Sequence, residues 1–172
     1  MPRYRRLLLA ATVLAFGVIS LGAYVRLSDA GLGCPDWPGC YGHWLGVPDQ
    51  AHEQLAASRA YPERPVETAK AWKEMVHRYF AGTLGLLILG IFLYAWRADS
   101  RRTRSPALPT LLLVTVLLQA ALGMWTVTLL LKPMIVTLHL LGGMFTLAFF
   151  LTLLLGDARP ASMPFSGKWL RP

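Results

Sequence analysis

Four apolar runs without a single charge dominate this chain: Leu7–Tyr24, Tyr79–Trp96, Ala107–Leu131 and Pro133–Gly156. About 18 such residues cross a bilayer, because a helix rises ~1.5 Å per residue and the hydrocarbon is ~30 Å thick. Each run therefore predicts a transmembrane helix. Lys132 and Pro133 fit a tight turn, so the last two spans form a hairpin. The first run follows Arg3, Arg5 and Arg6 as a signal peptide would. It is long for that role, and Arg26-Leu27-Ser28 offers no small-x-small cleavage site, so it reads as a retained helix. The expected fold is an all-α membrane protein, a four-transmembrane-helix bundle forming one domain over residues 1–172. A loop over residues 25–73 joins the first two spans, and Ala51–Ala60 within it fits a short surface helix.

Composition agrees: 55% of residues are hydrophobic and 15% charged. The formal charge of +8 sits mostly at the N-terminus, in the 97–106 loop (Arg97, Arg101, Arg102, Arg104) and in the tail (Arg159, Lys168, Arg171). The segment from Arg26 to Glu74 instead holds five basic residues against seven acidic. Basic loops stay on the cytoplasmic side. Both termini and residues 97–106 are thus expected in the cytoplasm, and the 25–73 loop outside, across the inner membrane of a bacterium. The basic excess is topological, and no nucleic-acid partner is needed to explain it.

The outer loop carries both cysteines, in Cys34-Pro35-Asp36-Trp37-Pro38-Gly39-Cys40. Two prolines and a glycine between them let the chain double back, and an outward-facing loop meets an oxidising compartment. A disulfide is expected, either structural or redox-active; zinc does not suit this spacing. His43 and His52 in the same loop read as solvated or interfacial.

His77 and His139 lie in otherwise apolar surroundings. An ionisable side chain at membrane depth is costly and marks a functional site by default. His77 stands at the outer end of the second span. His139 lies six residues past Pro133, about 9 Å inward at helical rise. Both helices enter from outside, so both imidazoles fall in the outer half of the bilayer, where they can grip one metal from opposite faces. Iron in a porphyrin suits them best. Glu74 shares a helix face with His77 at i, i+3. It either overhangs that site or pairs with Lys70 or Arg78. Gly82, Gly85, Gly142 and Gly143 follow the histidines and remove bulk where a ring or backbone could approach. The plainer alternative is that each histidine only bonds across helices. Gln119 and Trp125 read as packing and interfacial residues.

Four segments resemble the heme A synthase family. They are Gly22–Leu32 running into Cys34–Gly42, Glu74-Met75-Val76-His77-Arg78, Gln119–Val127, and Thr137-Leu138-His139-Leu140, in that family's order over about residues 7–155. The resemblance implies oxidation of one methyl of heme O to a formyl, yielding heme A for terminal oxidases. It implies His77 and His139 as axial ligands of the substrate heme and Glu74 as the acid near the reacting methyl. Cys34–Cys40 becomes the loop disulfide, and Arg26 and Arg78 become partners of the propionates. It further implies that this chain corresponds to the N-terminal half of an eight-helix enzyme. A b-type heme would then sit in another half or a second copy. Heme O synthase and terminal oxidase assembly factors are the implied partners, besides heme O and membrane lipid. The alternative is a non-catalytic bis-histidine b-type membrane cytochrome or heme carrier.

Overall fold

The structure, a computed structural model, describes residues 3–97 and 105–158. Arg101, Arg102 and Arg104 and the tail residues Arg159, Lys168 and Arg171, on which the expected orientation partly rests, lie outside the described residues. The described elements are α1 (Arg3–Leu27), α2 (Ala51–Ala60), α3 (Thr68–Ala95), α4 (Ala107–Thr128) and α5 (Pro133–Ala158). All but α2 are long and apolar enough to cross a membrane. The result is the all-helical membrane bundle that the apolar runs predict, with a Cys34–Cys40 disulfide in the loop after α1.

Two helix ends differ from the uncharged runs, for physical reasons. α3 starts at Thr68, about three turns before the uncharged run at Tyr79. Backbone hydrogen bonding continues through Lys70, Lys73, Glu74 and Arg78, whose charges have protein partners: Lys70 pairs with Asp29 and Glu67, Glu74 with Arg78 and the Cys34 N–H, and Lys73 lies over the Tyr24 ring. α4 stops at Thr128 although the apolar run continues to Leu131. The chain must reverse there, and Leu130 and Leu131 do so with φ of 55° and 54°. The Leu131 N–H donates to the Thr126 carbonyl at 2.8 Å, closing the turn.

α3 and α5 each pack against both α1 and α4, so the four long helices close a ring in the order α1, α3, α4, α5. α3 and α5 are diagonal partners that make no close backbone approach. One core fills the half of the bundle away from the outer loop: Tyr4, Leu8, Ala11 and Ala15 of α1, Leu84, Ile88 and Ile91 of α3, Leu112 of α4 and Phe150 of α5. The α1 residues recur at helical spacing, one stripe facing inward. Lipid is as apolar as these side chains, so close van der Waals packing rather than water exclusion holds them, and Ala11 and Ala15 let backbones approach. A second core lies in the outer loop: Cys34, Cys40, Tyr41, Val47 and Ala57 with Ala71 and Met75 of α3. His77 occurs in the sequence between the two sets of α3 core residues.

Candidate functional site

The extramembrane end of α3 is a post to which the loop is fastened. Gly33 lies so close to it that an added Cβ would fall 2.6 Å from the Lys70 carbonyl carbon and 2.7 Å from the Ala71 nitrogen. The Cys34 N–H donates to Glu74 at 3.0 Å. Arg78 binds the other Glu74 oxygen and donates to the carbonyls of Asp36, Pro38 and Gly39. Glu74 is 5% exposed and belongs to this clamp. Of the two partners weighed for Glu74, Arg78 forms the ion pair, while Lys70 pairs with Asp29 and Glu67. Farther along the loop, the Gly46 N–H donates to the Tyr79 hydroxyl at 2.7 Å and the Trp72 indole donates to Asp49 at 2.9 Å.

Within the disulfide loop, the Asp36 carboxylate accepts from the backbone N–H of Tyr41 at 2.6 Å and of Gly42 at 2.8 Å. The Tyr41 hydroxyl donates to the Pro65 carbonyl at 3.0 Å, and burial pushes its phenol above the ordinary tyrosine range. These bonds make the loop a folded cap tied to α3 immediately before His77.

His77 points at α1. A Cβ on Gly22 would lie 2.9 Å from the His77 Cε1 and 3.5 Å from each ring nitrogen. His139 lies against α4 in the same way, its Cε1 3.4 Å from the Cβ position of Gly123. The Nδ1 atoms of both rings are buried with no hydrogen-bond partner. Buried polar atoms are nearly always satisfied, so two orphaned imidazole nitrogens in one bundle ask for an explanation. A ligand role supplies one, because an imidazole nitrogen that holds a metal needs no hydrogen-bond partner. No three His, Cys, Asp or Glu side chains converge on a metal-sized site among the described residues. Two imidazoles then suit an iron whose equatorial positions a porphyrin fills. The donor set fits a heme.

The glycines that matter here are only partly those singled out from the sequence. A Cβ at Gly82 or Gly85 would meet nothing within 4 Å. At Gly142 it would strike the Gln119 amide, and at Gly143 it would touch Ile19. Gln119 thus reaches from α4 onto α5 one turn beyond His139, its amide packed against Gly142. The glycines under the two imidazoles, Gly22 and Gly123, escape a reading of the sequence because each precedes its histidine on a different helix. Arg26 is exposed near the end of α1.

The stretch that contains these residues matches a family model. A model described as cytochrome oxidase assembly protein, COX15-CtaA, covers residues 5–170. The chain belongs to the COX15-CtaA family. Among curated relatives it is 52% identical to the heme A synthase of Shewanella oneidensis over 143 residues, 83% of this chain and 42% of that protein. It is 29% identical to the heme A synthase of Geobacillus kaustophilus over 125 residues, 72% of this chain and 34% of that protein. A protoheme IX farnesyltransferase of Halobacterium salinarum is 28% identical over 120 residues, 69% of this chain and 22% of that protein. The chain therefore spans less than half the length of these relatives. Membership in the COX15-CtaA family and four long apolar helices make it a multi-pass membrane protein.

Proposed function

We propose that this chain is the substrate-binding half of a heme A synthase, in which His77 and His139 ligate the iron of heme O and one ring methyl is oxidised to a formyl. The observation that carries this reading is the pair of imidazoles on diagonally placed helices, each with a buried, unpartnered Nδ1. The family match and the names of the relatives support it. The farnesyltransferase name supports a farnesylated heme as substrate.

Conversion of methyl to formyl with water as the oxygen source removes four electrons and four protons (–CH3 + H2O → –CHO + 4 H+ + 4 e−), the electrons passing to an electron carrier. Positive charge builds at that carbon, and a carboxylate held nearby stabilises it or accepts a proton. Glu74 has that role in this reading, its carboxylate fixed by Arg78 and the Cys34 amide. The guanidinium of Arg78 is engaged with the loop, so propionate pairing rests mainly on Arg26. The electron carrier, a b-type heme, belongs to a second half or a second copy. Heme O synthase and terminal oxidase assembly factors stand before and after the reaction. The protein lies in a bacterial inner membrane with both termini cytoplasmic.

One observation favours a second reading, a non-catalytic bis-histidine cytochrome or heme carrier: Glu74 and Arg78 already have a structural task in holding the loop. Glu74→Gln separates the two, because a cytochrome keeps its function without the carboxylate while heme A formation requires it. Ligation itself is tested by visible spectra of His77→Ala and His139→Ala. Each is expected to lose the low-spin Soret and α bands; unchanged bands contradict the assignment.

A further inference from the structure

The outer ends of α1 and α4 carry the same pattern. Leu21-Gly22-Ala23-Tyr24 stands shortly before the end of α1, and Leu122-Gly123-Met124-Trp125 stands at the same distance from the end of α4. Each helix is followed by an outer connection and then by the helix that bears a histidine. α1 packs on α3, and α4 packs on α5. The first hairpin places Gly22 under His77 and the second places Gly123 under His139.

Glycine in a helix interior is disfavoured relative to alanine, so its presence at both seats needs a reason. Room for the ring is that reason, and the two seats differ in how much they demand. A methyl on Gly22 would come within 2.9 Å of a rigid imidazole, well inside carbon–carbon contact at about 3.5–4.0 Å. A methyl on Gly123 would stand 3.4 Å from its ring, at the edge of ordinary contact. The first ring must turn; the second need give only slightly.

We propose that Gly22 and Gly123 are positioning residues that seat the imidazoles of His77 and His139 and set the planes in which they meet the heme, Gly22 being the stricter seat. This rests on the heme-ligating reading above. It goes beyond that reading by naming what orients the ligands and by ranking the two sides.

The test compares Gly22→Ala and Gly123→Ala with Gly17→Ala, a control on α1 where a Cβ meets nothing within 4 Å. Alanine favours the helix, so all three variants are expected to fold. The chain labelled at histidine Cε1 is read by NMR in micelles without heme. Gly22→Ala should move the His77 signal strongly, Gly123→Ala should move the His139 signal less, and Gly17→Ala should move neither. In the heme-loaded protein, Gly22→Ala should lower heme affinity by ~10-fold or more, the usual cost of losing a ligand's support. It should also shift the highest g-value of the ferric low-spin EPR spectrum, which reports the angle between imidazole planes. Gly123→Ala should keep the heme with a smaller g-shift. An unmoved His77 signal in Gly22→Ala, or a larger effect at Gly123 than at Gly22, overturns the proposal. Wild-type protein lacking a Soret band overturns the heme reading instead, and the NMR pattern alone then decides whether the glycines seat the rings.

Discussion

Glu74 and Arg78 show how two residues one helical turn apart build an interface between helix and loop. The pair is nearly dry, with side chains 6% and 12% exposed. Arg78 also satisfies three loop carbonyls, which a lysine with its compact ammonium cannot match. Removing one partner of a buried pair strands the other charge, at a cost of ~3–5 kcal/mol. Arg78→Ala is therefore expected to lower thermal stability in micelles by that order and to loosen the loop; a melting temperature equal to wild type contradicts the clamp. Glu74→Gln removes the charge and keeps most of the shape, so it should cost less than Arg78→Ala in the same measurement. At this scale the sequence marks His77 and His139 by their ionisability against apolar surroundings, and Glu74 by sharing a helix face with His77. It gives no such mark to Gly22 or Gly123, whose role depends on which helix lies across from them.

Among the elements, α3 does two jobs along one axis: its membrane part packs in the bundle and its outer turns anchor the cap. Gly33 is where the loop backbone meets that post. Gly33→Ala would drive a methyl against the backbone of Lys70 and Ala71, which has no side-chain freedom with which to yield. Overpacking of this kind costs ~1–3 kcal/mol. Faster hydrogen exchange of the Cys34–Gly46 amides, with the bundle amides unchanged, is the expected signature. α2 is closed at its start by Glu53, which accepts from the Asp49 and Gln50 N–H groups at 3.0 Å each. Those bonds hold the Glu53 carboxyl below its ordinary value of 4.5. The cap is therefore complete above that value and is lost as pH falls through the lowered one. Fraying of α2 should appear on acidification, followed by NMR shifts of its first turn, and should be absent from the pH response of Glu53→Gln. The bounds of α2 are legible in the sequence, and so is the hairpin turn at Lys132. The start of α3 is not, since counting uncharged residues marks where lipid begins and not where helical hydrogen bonding begins.

As a whole, the described residues form a ring of four long apolar helices with a packed apolar core at one end and a disulfide-closed cap at the other. Charge-free runs of membrane length make those four helices legible in the amino-acid sequence, because lipid leaves the backbone few alternatives to a helix. The neighbour order α1, α3, α4, α5 comes from packing, and it places the two histidine helices on a diagonal rather than side by side. In the proposed reading, that diagonal lets the two imidazoles address one heme iron from opposite faces. The central claim is that the iron belongs to heme O. It is tested by expressing this chain in membranes that make heme O but no heme A, purifying it, extracting the heme and separating it by chromatography. Heme O, its hydroxylated product or heme A in the extract is the expected result; heme B alone, or no heme, contradicts the account.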